Sequence, residues 1–486
     1  MGASLTRQAA SGAKWTTFAS IATALISVVQ ISVLARYLKP SDFGAVALLL
    51  VILEICNVFV RVGFSDVLVV KSEATRRQLS TLYWVNVAVG VAIYALLFVL
   101  APWFGGLFTT VDLTGMARVM GLILLSGALV VQFDALMRRE MMLRQLALFR
   151  TATQLAGLVV AVWLAVAGYG AWALIFANLA AQLGMNLLLW GIAVQQRWLP
   201  GRWGRLSEIT ELLHFGAYRV GASLIYALNS RVDQLSIGAF LGPAALGYYN
   251  LAFNLAMQPF QRINPILTQV SFPIFAKVKN DNGKLLKGYR KGLRLLVCVN
   301  APLLLGLAVI APLLVPALLG PRWQPVIPVV QVLTVVALFR SASNINIGLI
   351  LAKEKYKWPF YWGLVLLCIV PLTIIVVSKF TGSLVVVSAT LAGIHACLFV
   401  LGYLLFPRRL LGRFDWSFLS DVGRPVLAAC LMMLAIMLAI EEVTWGSLWT
   451  RMFMMVALGG TVYAAASLLI QRQHTSEVIE FLRARG

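Results

Sequence analysis

Acidic side chains are scarce in this chain: 18 Asp and Glu stand against 40 Lys and Arg in 486 residues, a formal net charge of +22. Charged residues of both signs make up only 12% of the sequence and hydrophobic residues 60%. So few ionisable groups cannot solvate a water-soluble core of this size. The five cysteines, Cys56, Cys298, Cys368, Cys397 and Cys430, form no CxxC pair and have no histidine at metal-ligand spacing, so they read as small packing residues. A GxxxxGK[ST] phosphate loop, an HExxH helix and a GxSxG elbow are all missing. Direct ATP drive and metal- or serine-based hydrolysis therefore have no support, and neither a catalytic residue, a metal nor a cofactor is expected.

What is present is a succession of long apolar segments. A run of about 20 apolar residues crosses a hydrocarbon core roughly 30 Å thick. Fourteen such spans are expected, at 15–37, 43–64, 79–101, 116–137, 147–168, 171–194, 212–238, 245–275, 293–319, 325–351, 358–378, 384–406, 424–440 and 448–470. They are apolar all round rather than alternating, which favours helices over barrel strands, and lipid leaves no water to pair an open backbone. The first has too long an apolar run for a signal peptide and no small-x-small cleavage site, so it reads as a retained helix. The fold class expected is an all-α membrane protein.

The basic residues fix an orientation. With the N-terminus inside, 29 fall in cytoplasmic segments and six outside (Arg36, Lys39, Arg118, Arg322, Lys379 and Arg451). This positive-inside bias places both termini in the cytoplasm. It also accounts for the net charge without nucleic acid, since basic loops rest against anionic headgroups at about 1 kcal/mol per residue.

An internal repeat organises the spans. LARYLKPSDFGAVAL around the first pair matches IGAFLGPAALGYYNL around the seventh and eighth, and an offset of 203 puts Leu38 on Leu241, Pro40 on Pro243 and Gly44 on Gly247. Six spans separate the copies, so both have one orientation and form parallel repeats about an axis along the membrane normal. Two pseudo-symmetric six-helix bundles around a central cleft follow, with two peripheral C-terminal helices. The domains expected are an N-terminal lobe at 1–194, a cytoplasmic linker at 195–211, a C-terminal lobe at 212–406, two further spans at 424–470 and a tail at 471–486.

The remaining five basic residues lie within spans: Arg61, Arg219, Arg231, Arg262 and Arg340. Each costs about 2.5–3.5 kcal/mol at a helix centre, so such residues face a wet cavity or a partner. Arg219, two turns into its helix, can instead snorkel to the surface, and the same reading stays open for Arg61 and Arg262. The repeat aligns Arg61 with Asn264, two residues from Arg262. Arg61, Arg231, Arg262 and Arg340 are the candidate ligands for an anion, because guanidinium forks match phosphate oxygens. Among the acids, Glu54 and Asp233 are candidates for ion coupling, with a structural pair to an arginine on another helix as the alternative. His395 reads as a packed, hydrogen-bonded residue rather than a proton relay.

The stretch VLARYLKPSDFGAVALLLVILEICNVFVRVGFSDVLVVKSEATRRQLSTLYWVN, Val33 to Asn86, with SRVDQLSIGAFLGPAALGYYNLA, Ser230 to Ala252, resembles the polysaccharide-transport branch of the multidrug/oligosaccharidyl-lipid/polysaccharide exporter superfamily. It is most similar to Wzx-type flippases of the colanic-acid exporter kind. The resemblance implies an inner-membrane flippase that moves an undecaprenyl-pyrophosphate-linked oligosaccharide to the periplasmic leaflet by ion-coupled alternating access, for exopolysaccharide, capsule or O-antigen assembly. The partners so implied are that lipid-linked glycan, membrane lipids, a polysaccharide polymerase and a chain-length regulator. Two rivals come from the same superfamily. A multidrug or cation antiporter is disfavoured by the excess of intramembrane arginines and by a first span with no Asp or Glu, whereas a flippase for lipid-linked peptidoglycan precursors stays open. A membrane glycosyltransferase is opposed by the very short outer loops.

Overall fold

The computed structural model describes residues 2–60, 75–106, 112–204, 210–355, 357–411, 417–443 and 445–470, with backbone alone described at 2–14, 210–219, 222, 266–274 and 276. All regular structure among the described residues is helical. In chain order the helices are α1 (Gly2–Tyr37), α2 (Pro40–Val60), α3 (Arg76–Gly105), α4 (Leu113–Ala128 and Val131–Arg139), α5 (Leu143–Val166) and α6 (Ala171–Gln195). A long segment, Thr210–Lys277, then divides at Gly242 into α7 (210–241) and α8 (243–277). There follow α9 (Asn282–Leu319), α10 (Val326–Ser343 and Ile345–Ala352), α11 (Lys357–Thr381), α12 (Leu384–Leu411), α13 (Phe418–Glu442) and α14 (Leu448–Ile470). Eleven are long and apolar enough to cross a membrane and the bent α4 makes a twelfth. With α7 and α8 the helices number fourteen, as the sequence implies.

Local chemistry sets the breaks. Pro40 opens α2, where a missing N–H costs nothing, and Asp42 accepts the Lys39 backbone N–H at 2.9 Å. A Thr75–Gln78 capping box starts α3, and Asp112 caps α4 by accepting from the Gly115 N–H at 3.0 Å. Gly242 holds φ 85° and ψ 179°, a conformation that favours glycine, just before Pro243, which disfavours helix at the residue ahead of it. The chain thus leaves helix at Lys39 and at Gly242, positions that the repeat offset equates.

Several elements depart from the expected spans, and α1 begins at Gly2 instead of 15. The fourth bends by 42° after Ala128, and the Asn86 side-chain amide donates to the Ala128 carbonyl at 3.0 Å, satisfying backbone freed by the break. The ninth begins at Asn282 instead of 293, because Asp281 caps it there and its first turns run helical through the basic segment.

The chain forms two compact units, Met1–Gly247 and Tyr248–Gly486. In the first, α5 packs on α1 and α6, α3 on α4, and α2 against α3, α4 and α6. Tyr83, Phe133, Leu146 and Leu189 join these helices in one buried cluster. Residues 197–204 lie along the start of α3: Ser80 Oγ accepts from the Gly201 N–H at 2.8 Å, Thr81 Oγ1 from the Gly204 N–H at 3.0 Å, and Trp84 Nε1 donates to the Gly201 carbonyl at 3.0 Å. In the second unit α9 is central, packing on α10, α12, α13 and α14, while α10 packs on α12 and α12 on α11. Helices α13 and α14 pack on α9 and on each other, through Val309, Ile310 and Leu313 against Met432, Ile436, Met452 and Met455.

Candidate functional site

In the first unit the structure joins two of the residues singled out from sequence. Arg231 Nε on α7 donates to Glu54 Oε2 on α2 at 2.7 Å, with 27% of the arginine side chain and 44% of the glutamate side chain exposed. Both sit well inside their helices, so the pair cancels two charges that would otherwise face hydrocarbon singly. Glu54 therefore takes the structural alternative, an arginine on another helix, whatever else it does. Asp233, two residues on, is 3% exposed and its Oδ1 accepts from the Gln234 backbone N–H at 2.8 Å. Asp134 lies at the end of α4 in contact with Arg138 at 2.7 Å and Arg150 at 3.5 Å.

The second unit holds Arg262 and Arg340. Arg262 is exposed on α8. Arg340, on α10, donates from Nε to His395 Nε2 on α12 at 2.9 Å, and its guanidinium carbon lies 5.9 Å from the centre of the Phe253 ring. His395 is hydrogen-bonded, as its place in an apolar span requires, yet its partner is one of the candidate arginines. Arg61 lies outside the described residues, and Arg219 is described by its backbone alone.

Two polar constellations near these residues escaped the sequence reading. Asn264, the repeat counterpart of Arg61, is buried with Asn300 and Ser341: Asn300 Nδ2 and Ser341 Oγ donate to Asn264 Oδ1 at 3.0 and 2.9 Å, and Asn264 Nδ2 donates to the Ser341 carbonyl at 3.2 Å. This knot ties α8, α9 and α10 together one residue from Arg340. Near the start of α13, Asp421 is 2% exposed and meets Arg290 at 2.6 Å and Arg294 at 3.3 Å on α9. The signal for it was an acid in a basic segment, with two arginines four residues apart on another helix. Beside it, the Lys279 ammonium hydrogen-bonds Glu354 at 2.7 Å and holds that carboxyl below its ordinary range.

Of the candidate arginines, Arg231 and Arg340 are each held by a side chain on another helix. Among the described residues no group of three or more His, Cys, Asp or Glu converges as for a metal ion.

The family of polysaccharide biosynthesis proteins matches residues 33–328. The lipopolysaccharide biosynthesis protein WzxC of Escherichia coli (strain K12) is 32% identical over 74% of this chain and 72% of its own length. The succinoglycan biosynthesis transport protein ExoT of Rhizobium meliloti (strain 1021) is 24% identical over 97% of this chain and 95% of its own. Among solved structures, the lipid II flippase MurJ in an inward closed conformation aligns with a TM-score of 0.74 over 94% of this chain and 99% of that one, at 13% identity, so the two share a fold. The likeness read from the Val33–Asn86 and Ser230–Ala252 motifs is borne out, and the chain belongs to the polysaccharide biosynthesis protein family, as a multi-pass membrane protein.

Proposed function

We propose that this protein flips a pyrophosphate-linked polyprenyl oligosaccharide from the cytoplasmic to the periplasmic leaflet of a bacterial inner membrane, with both its termini in the cytoplasm. The observation that carries the reading is the set of arginines inside the spans, in a chain whose relatives make polysaccharides. A pyrophosphate supplies the negative charge that Arg61, Arg231, Arg262 and Arg340 attract, the sugars take the wet part of the path, and the prenyl tail stays in lipid. The succinoglycan relative, named a transport protein, supports this role because it is matched over nearly its full length. Glu54 is the preferred coupling carboxylate, since protonating it would release Arg231 at 2.7 Å, and Asp233 is the second candidate. A cationic drug would meet guanidinium ions of its own sign, which disfavours multidrug export. A polymerase and a chain-length regulator would take up the flipped repeat unit.

Deleting the gene in its host, with the polymerase intact, is expected to abolish surface polysaccharide and to leave lipid-linked repeat units facing the cytoplasm. Normal surface polymer in the deletion strain would overturn the reading. Rescue of a strain lacking its lipid II flippase, without rescue of polysaccharide, would assign the cargo to peptidoglycan synthesis instead.

A further inference from the structure

The two intramembrane arginines with resolved partners are held differently. Arg231 faces a carboxylate, whereas Arg340 faces an imidazole. A guanidinium has only donors. His395 Nε2, 2.9 Å from Arg340 Nε, must therefore present its lone pair, and the ring proton sits on Nδ1, which donates to the Leu391 carbonyl at 2.9 Å. Both ring nitrogens are committed, so the tautomer is fixed and the imidazole is neutral.

Among the described residues of its unit, no Asp or Glu pairs with Arg340. Residues 248–277, Asn282–Leu319, Val326–Ala352, Lys357–Thr381 and Leu384–Leu411 contain no Asp or Glu. The acids nearest in sequence, Asp281 and Glu354, lie in the cytoplasmic turns and are engaged by Lys284 and Lys279. With Nε fixed by the imidazole, the guanidinium plane is set and its two Nη nitrogens, which make no hydrogen bond to a described residue, form the edge that fits two phosphate oxygens.

We propose that His395 is a positioning residue: as a neutral acceptor it orients Arg340 so that the terminal nitrogens grip the pyrophosphate of the cargo. This rests on the reading above that the cargo is a pyrophosphate lipid. It differs from a packing role in acting through one atom, Nε2, on one partner.

The test is binding of farnesyl pyrophosphate to the full-length protein in phosphatidylcholine nanodiscs, for wild type, Arg340→Ala, His395→Leu, His395→Gln and the Arg340→Ala/His395→Leu double variant, each shown monodisperse with an unchanged melting temperature. Arg340→Ala is expected to weaken binding roughly tenfold or more, the worth of a charge-assisted contact. His395→Leu, which removes the acceptor, should weaken it roughly fivefold by freeing the guanidinium, and should add nothing in the Arg340→Ala background. His395→Gln, whose amide oxygen can accept from Nε, should restore most of the affinity. If His395→Leu does not fold, His395→Asn, whose amide stops short of Nε, takes its place.

No binding of the probe by the wild type would overturn the cargo reading itself, whereas wild-type affinity in Arg340→Ala would overturn the grip by Arg340 and with it the positioning role. Loss in Arg340→Ala with none in His395→Leu would overturn only the positioning role, as would full additivity in the double variant or a failure of glutamine to rescue. Displacement of the probe by phosphatidylglycerol at equal concentration would mark an ordinary headgroup site and count against the cargo reading.

Discussion

The carbonyl of Pro243 fills the space that a side chain at Gly44 would need, and the carbonyl of Pro40 does the same at Gly247. A methyl group at either glycine would also come to 3.0–3.1 Å from the other glycine's backbone nitrogen. The two Pro-x-x-x-Gly turns that the repeat equates thus touch each other, backbone to backbone, with reciprocal contacts. Glycine is needed at 44 and 247 for close approach and not for an unusual φ.

Gly44→Ala and Gly247→Ala should each lower stability by about 1–3 kcal/mol, the usual cost of overpacking, because the atoms met are backbone and cannot rotate away. Thermal unfolding of the purified variants in detergent measures this. An unchanged melting temperature in both would show that the turns separate freely.

Arg231→Ala and Glu54→Gln should each reduce export while leaving the protein inserted, and the exchanged pair Glu54→Arg/Arg231→Glu should recover stability but not full export, since an anion-binding arginine would then sit on α2. Arg231→Lys should rescue only in part, because an ammonium keeps the charge and loses the two-pronged fit to phosphate. Surface polysaccharide at equal membrane levels of protein reports the outcome, and normal export in Arg231→Ala would make the pair purely structural.

Asp421→Ala should cost roughly 3 kcal/mol, since it removes the buried carboxylate and leaves Arg290 and Arg294, 24% and 19% exposed, facing each other. Removing both arginine charges as well, with Arg290→Met and Arg294→Met, should return part of the loss. The melting temperatures of the single and triple variants decide this; equal melting temperatures for Asp421→Ala and wild type would mean that α13 docks by apolar contact alone.

In a cysteine-free background, a cysteine at Asp112 should react with a membrane-impermeant maleimide added to intact cells, and one at Arg202 only after the membrane is opened. The reverse pattern would invert the orientation drawn from the basic residues.

Much of this protein was legible along the chain. Lipid admits few solutions, so apolar length alone pointed to fourteen helices, and the Pro/Gly spacing at 40–44 and 243–247 exposed the repeat. What a one-dimensional pattern cannot carry is which helix faces rotate toward one another. Glu54 and Arg231 are 177 residues apart, Arg340 and His395 55, and Asp421 and Arg290 131. Each of those pairs is decided by helix rotation and depth, set by the packing of hundreds of apolar atoms around it. The repeat shows the same division. Its identical residues were visible in the sequence as two similar turns, and only the tertiary structure decided that the turns meet, because close contact between backbones is a property of two helix pairs and not of either one.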